Sequence, residues 1–86
     1  MRYKIKYKDK KTMGEYQGVH RNVPRVRFRH KIPKNEVWVR KDIRDRNPKR
    51  ARRIAGHEIR EAKLMEKGMP YKSAHRKAGY NRRRRR

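Results

Sequence analysis

Positive charge constrains this chain more than any other feature. Its 86 residues hold 31 Lys and Arg against 8 Asp and Glu, a formal net charge of +23. A compact chain so charged repels itself, so it needs a neutralising polyanion, and nucleic acid is the commonest one. The length allows one domain with a small core. Only 31% of the residues are hydrophobic, and low hydrophobicity with high net charge is also the composition of disordered chains. No run approaches the roughly 20 apolar residues of a membrane span, and none has the form of a secretory signal, which sets the expectation of a cytoplasmic protein. There is no Cys. Disulfides and thiolate metal sites are therefore excluded, and any metal must be held by His and carboxylate.

The charge is not gathered in one patch. Residues 1–47 carry 16 basic and 5 acidic groups, and residues 48–86 carry 15 and 3. Patterning within each half argues against disorder. Tyr3, Ile5 and Tyr7 alternate with Lys4, Lys6 and Lys8, the period of a half-buried strand at 3–7. Residues 9–22 keep no period and read as a loop or basic arm. Val26 and Phe28 alternate with Arg25, Arg27 and Arg29, which predicts a second strand at 25–30. Pro33 and Asn35 mark a turn, and Val37, Trp38 and Val39 predict a third strand at 37–41, forming a hairpin with the second.

The second half changes period. Asn47-Pro48 is a helix start, with Asn as N-cap and Pro at the first helical position, and Gly68 stands where a stop belongs. A helix over 48–67 places Ala51, Ile54, Ala55, Ile59, Ala62 and Met65 on one side. Pro70 opens a shorter helix over 70–78, closed by Gly79. The expected fold class is α+β: a small β-hairpin or sheet followed by a helical hairpin, with a flexible basic N-terminal loop and C-terminal tail. Residues 1–79 form the single domain and 80–86 the basic tail.

The basic surface is arginine-rich, and the planar guanidinium holds phosphate oxygens two at a time. Candidate nucleic-acid contacts are Arg25, Arg27, Arg29, Arg40, Lys41, Lys49, Arg50, Arg52, Arg53, Arg60, Arg82, Arg83, Arg84, Arg85 and Arg86. On 48–67 these cations offer phosphate chemistry and no base code, which disfavours sequence-specific reading of DNA. Phe28 and Trp38 are read as core. Tyr16 and Tyr80, in irregular segments, are free to stack on unpaired bases, which favours RNA.

Two acids stand apart from this scheme. Glu58 lies between Ile54 and Ala62 on the apolar side of the first helix, and Glu61 lies at its edge. His57 is four residues before Glu61, and His75 is on the apolar side of the next helix. A carboxylate turned toward a core is costly unless paired or bound to metal. The four are therefore expected to converge where the helices pack. The plainer alternative pairs Glu58 and Glu61 with Lys or Arg of the hairpin and leaves the histidines in ordinary hydrogen bonds.

His57-Glu58-Ile59-Arg60-Glu61, followed by Gly68, Tyr71 and Ala74-His75, resembles the H-E-x-x-E…G-x-x-Y-x-x-A-H pattern of small archaeal and phage proteins of zincin-like type. The resemblance covers about residues 33–78. It implies His57, Glu61 and His75 as metal ligands, with Zn²⁺ as the ion, and Glu58 as the base that activates a bound water. The chain departs from the zincin helix in placing Glu at position 61 where a second His is usual, and no acid follows His75.

Three readings follow. The first is an RNA-binding structural protein, similar in composition to small ribosomal components, with rRNA and neighbouring ribosomal proteins as partners, no membrane, no catalysis and no required cofactor. The second is a DNA-packaging or chromatin-like protein using the same cations. The third is a small metal-binding, hydrolase-like module built on His57, Glu58, Glu61 and His75.

Overall fold

Val37, Trp38 and Val39 are apolar at three successive positions, which suits a strand covered on both faces. In the computed structural model, which describes residues 2–84 and side chains through Gly79, this segment is the central strand of a three-stranded sheet. The strands are β1 (Lys4–Lys8), β2 (Gly18–His20) and β3 (Glu36–Arg40), in the order β1-β3-β2. β1 runs parallel to β3, with Ile5 opposite Val37 and Tyr7 opposite Val39. β2 runs antiparallel, with Gly18 opposite Val39 and His20 opposite Val37.

Paired residues share a face of the pleat, so this register decides the layers. Val37 and Val39 pack on Ile43, Ala51 and Ala55 on one side. Val19 and Trp38 pack with Met13, Val23, Val26 and Ile32 on the other. Gly18 and His20 point to the first side, toward the helices.

Among the described residues four α-helices complete the α+β fold: α1 (Lys10–Met13), α2 (Lys41–Arg46), α3 (Pro48–Glu66) and α4 (Tyr71–Arg84). α3 begins as its sequence dictates, with the Asn47 side chain accepting from Arg50 N at 3.1 Å. It ends before Gly68, whose φ of +102° is a conformation other residues resist. α3 and α4 form the expected helical hairpin.

Four expectations are corrected. Residues 25–30 are not a strand and form no hairpin with β3. Here Val26 N donates to Val23 O, Arg29 N to Val26 O and Ile32 N to Arg29 O, so the chain advances by linked i to i+3 turns, and Val23, Val26 and Ile32 are buried at separations of three and six. The period-2 alternation with arginine was incidental. Second, residues 9–22 are structured: Asp9 caps α1 through Thr12 N at 2.9 Å, Met13 is fully buried, and β2 supplies the partner of β3. Third, the strand expected over 37–41 ends at Arg40, and Lys41 opens α2, with Arg40 forking onto Asp42 at 2.8 and 3.2 Å. Fourth, Gly79 does not end α4, whose backbone continues to Arg84. Residues 85–86 of the expected tail lie outside the described residues. No helix among the described residues is long and apolar enough to cross a membrane.

Candidate metal centre and phosphate groove

Glu61 is the hub of the site. It is 1% exposed and meets three histidines from three elements. Its Oε1 accepts from His20 Nε2 of β2 at 2.7 Å, and its Oε2 accepts from His75 Nδ1 of α4 at 2.6 Å. His57 Nε2, one turn earlier on α3, stands 3.4 Å from Oε2. His20 has its other nitrogen engaged, since Nδ1 accepts from Asn22 N at 3.2 Å. The ring proton therefore sits on Nε2 and points at Glu61. Burial alone would push the Glu61 carboxyl up, but hydrogen bonds from His20, His57 and His75 outweigh it and hold the pKa at about 2.

Glu58, one turn before Glu61, has the opposite setting. It is 8% exposed, and Oε1 has no hydrogen-bond partner among the described residues. The closest counter-group is His20 Nε2, 3.9 Å away. Burial, with repulsion from Glu61, pushes its carboxyl up to about 8. Neither carboxylate meets a Lys or Arg among the described residues, so that part of the plainer alternative fails, whereas its other part, a histidine in an ordinary hydrogen bond, describes His75.

Two glycines permit the assembly. A Cβ on Gly18 would lie 2.5 Å from Ile54 Cγ2 and 3.0 Å from Glu58 Cγ, so only glycine lets β2 approach α3 this closely. A Cβ on Gly79 would lie 3.3 Å from the His57 ring. The residue read as a helix stop is a packing position.

His57, Glu61 and His75 thus converge as expected, each offering a donor atom within 4.8 Å of the others. The His57–Glu61 separation of 3.4 Å equals the spacing of two donors each about 2.1 Å from a tetrahedral zinc. Two His and one carboxylate also form a recognised catalytic zinc set. The donor types fit the ion, and His75 Nδ1, hydrogen-bonded to Glu61 Oε2 at 2.6 Å, would have to draw back by about 0.8 Å to share it. A second trio, His20, Glu58 and Glu61, shares the hub. His20 was missed in the sequence, because a three-residue strand is too short to display a period.

The chain matches no family model, no curated protein and no solved structure.

The His57, Glu58 and His75 side chains form part of the floor of an open groove of about 790 Å³. Gln17 and Gly18 bound it on one side, Arg50, Arg53 and Ile54 rise from α3, and Arg76 and Gly79 from α4. Arg50 donates to Gln17 Oε1 at 3.1 Å. Arg53 and Arg76 have no acidic partner among the described residues, and both are exposed.

Of the other candidate contacts, Arg25, Arg27, Lys41, Lys49 and Arg52 are exposed. Arg29 is half-buried, Arg40 is committed to Asp42, and Arg60 donates to Ala78 O at 3.4 Å. Arg82, Arg83 and Arg84 lie on the α4 backbone, but their side chains, like Arg85, Arg86 and the Tyr80 side chain, fall outside the described residues. Trp38 is core, and Phe28 stacks on it with centroids 6.1 Å apart. Tyr16 is not a free stacking platform: it packs edge-on against Phe28, and its hydroxyl donates to Arg25 O at 3.2 Å.

Proposed function

We propose that this chain binds RNA, neutralising and clamping its phosphates in the manner of a small ribosomal component in the cytoplasm. The observation that carries the reading is the groove between α3 and α4, where Arg50, Arg53 and Arg76 face one space and Glu58 is the only acid lining it among the described residues. Guanidinium groups with no acid to satisfy them are disposed for phosphate oxygens. The net charge of +23 supports the same partner. rRNA is the proposed target. The rival, DNA packaging, uses the same cations, so protein recovered from its own cell is treated with RNase and with DNase. Release by RNase supports the proposal, and retention on DNA after RNase removes it.

A second reading is favoured by the unpartnered Glu58 Oε1 beside the converging His57, Glu61 and His75. In it these three hold a divalent ion, with Zn²⁺ the first choice. Bound there, the ion would supply Lewis-acid polarisation and favour the ionised form of Glu58. His20 orients Glu61 from behind, as partners of metal ligands do. Glu58 is then the one carboxylate placed to take a proton from water. Metal analysis of the purified protein tests this reading. About one ion per chain is expected; less than about a tenth of a Zn²⁺, together with an unaffected Glu58→Ala variant, removes it.

A further inference from the structure

The groove and the centre share residues, and that overlap says what the centre would act on. Arg53 lies four residues before His57, about 6 Å along the axis of α3, and Arg76 follows His75 on the facing helix. Both arginines and both histidines line one cavity, with Glu58 between them. Glu58 is more than nine-tenths buried, it lines the same cavity, and its Oε1 has no hydrogen-bond partner among the described residues. A phosphate held by Arg53 and Arg76 would therefore share a cavity with the Glu58 side chain. A neutral peptide backbone would leave both guanidinium groups unmatched.

We propose that the substrate of this centre is the phosphodiester linkage of an RNA strand, and that the chain is a metal-dependent ribonuclease. The inference rests on the two readings above, RNA as the polyanion and a divalent ion at the centre. In the step, a water oxygen forms a bond to phosphorus and the phosphorus–oxygen bond to one ribose breaks. The water proton passes to Glu58, and the leaving ribose oxygen takes a proton from groove solvent. Water is the only co-reactant, and nothing is oxidised or reduced. Arg53 and Arg76 bind the phosphate; Arg50, held by Gln17, binds its neighbour along the strand.

The experiment uses the full chain loaded with Zn²⁺ or Mn²⁺ and an end-labelled single-stranded RNA. Binding is followed by anisotropy, and cleavage by gel. Expected are cleavage that chelator abolishes, a loss of at least about 100-fold in Glu58→Gln, and RNA binding weakened about tenfold in the exposed double variant Arg53→Gln/Arg76→Gln. That binding readout stands even if Glu58→Gln fails to fold. RNA and metal both bound with the strand left intact overturns the inference while both readings survive. Cleavage of an acidic peptide in place of RNA overturns it too. Absence of RNA binding removes the first reading and the inference with it, and absence of metal removes the second and the inference likewise.

Discussion

Glu58 and Glu61 are one helical turn apart, and their surroundings set them in opposite directions. Three histidines hold Glu61 ionised, whereas burial without a partner holds Glu58 neutral. The consequence is a stability profile with two limbs in metal-free protein. Between about pH 2 and 4.5 the unfolded chain carries a proton at Glu61 that the folded chain lacks, so stability rises with pH. Between about pH 4.5 and 8 the folded chain keeps a proton at Glu58 that the unfolded chain has lost, so Glu58 lowers stability as pH rises. The second limb amounts to at most about 5 kcal/mol. Urea denaturation in chelator, comparing wild type with Glu58→Gln, should show the falling limb in the wild type and not in the variant. Parallel profiles would mean that Glu58 is not held neutral in the fold. The carboxylates were legible as misplaced from the helical wheel alone. Which one would be charged was not, because that depends on His20, which arrives from a strand 41 residues before Glu61.

The elements were legible where a local rule governs them. Asn47, Pro48 and Gly68 bound α3 by capping and backbone geometry, and the alternation at 3–7 placed β1 to within a residue. They were not legible where a tertiary contact decides. Val26 and Phe28 offered strand spacing, but Val23, Val26 and Ile32 bury together by successive turns. β2 exists because β3 has an open edge and Gly18 lets it lie on α3. Glycine substitutions separate these cases. At Gly18 a methyl group meets Ile54 and Glu58 inside van der Waals distance. Gly18→Ala should therefore cost about 1–3 kcal/mol and loosen the His20–Glu61 hydrogen bond by pushing β2 away from α3. At Gly56, mid-helix, the nearest atom is the far end of Arg60 at 3.6 Å. Gly56→Ala should stabilise by about 0.5–1 kcal/mol. Thermal unfolding of both variants checks the pair. Equal effects would contradict the close approach of β2 to α3.

For the whole molecule, the charge arithmetic raised the expectation of a polyanion partner without a place for it. The fold takes arginines from α3 and α4, 26 positions apart between Arg50 and Arg76, and turns them into one groove, the place proposed for that partner. Arg76 escaped notice because nothing in its local sequence distinguishes it from its neighbours. Only the pairing of the two helices does. Other exposed cations, among them Arg25, Arg27, Lys49 and Arg52, extend a basic surface beyond the groove. The protein is therefore expected to engage phosphate over an area wider than one site. The proposal is that about a third of the 31 cations meet RNA phosphate, and the salt dependence of RNA binding measures it directly. If about ten cations meet phosphates, log Kd plotted against log salt should have a slope of magnitude about 7 to 9. A slope of magnitude below about 3 would contradict the account, leaving +23 as surface charge without a polyanion to meet it.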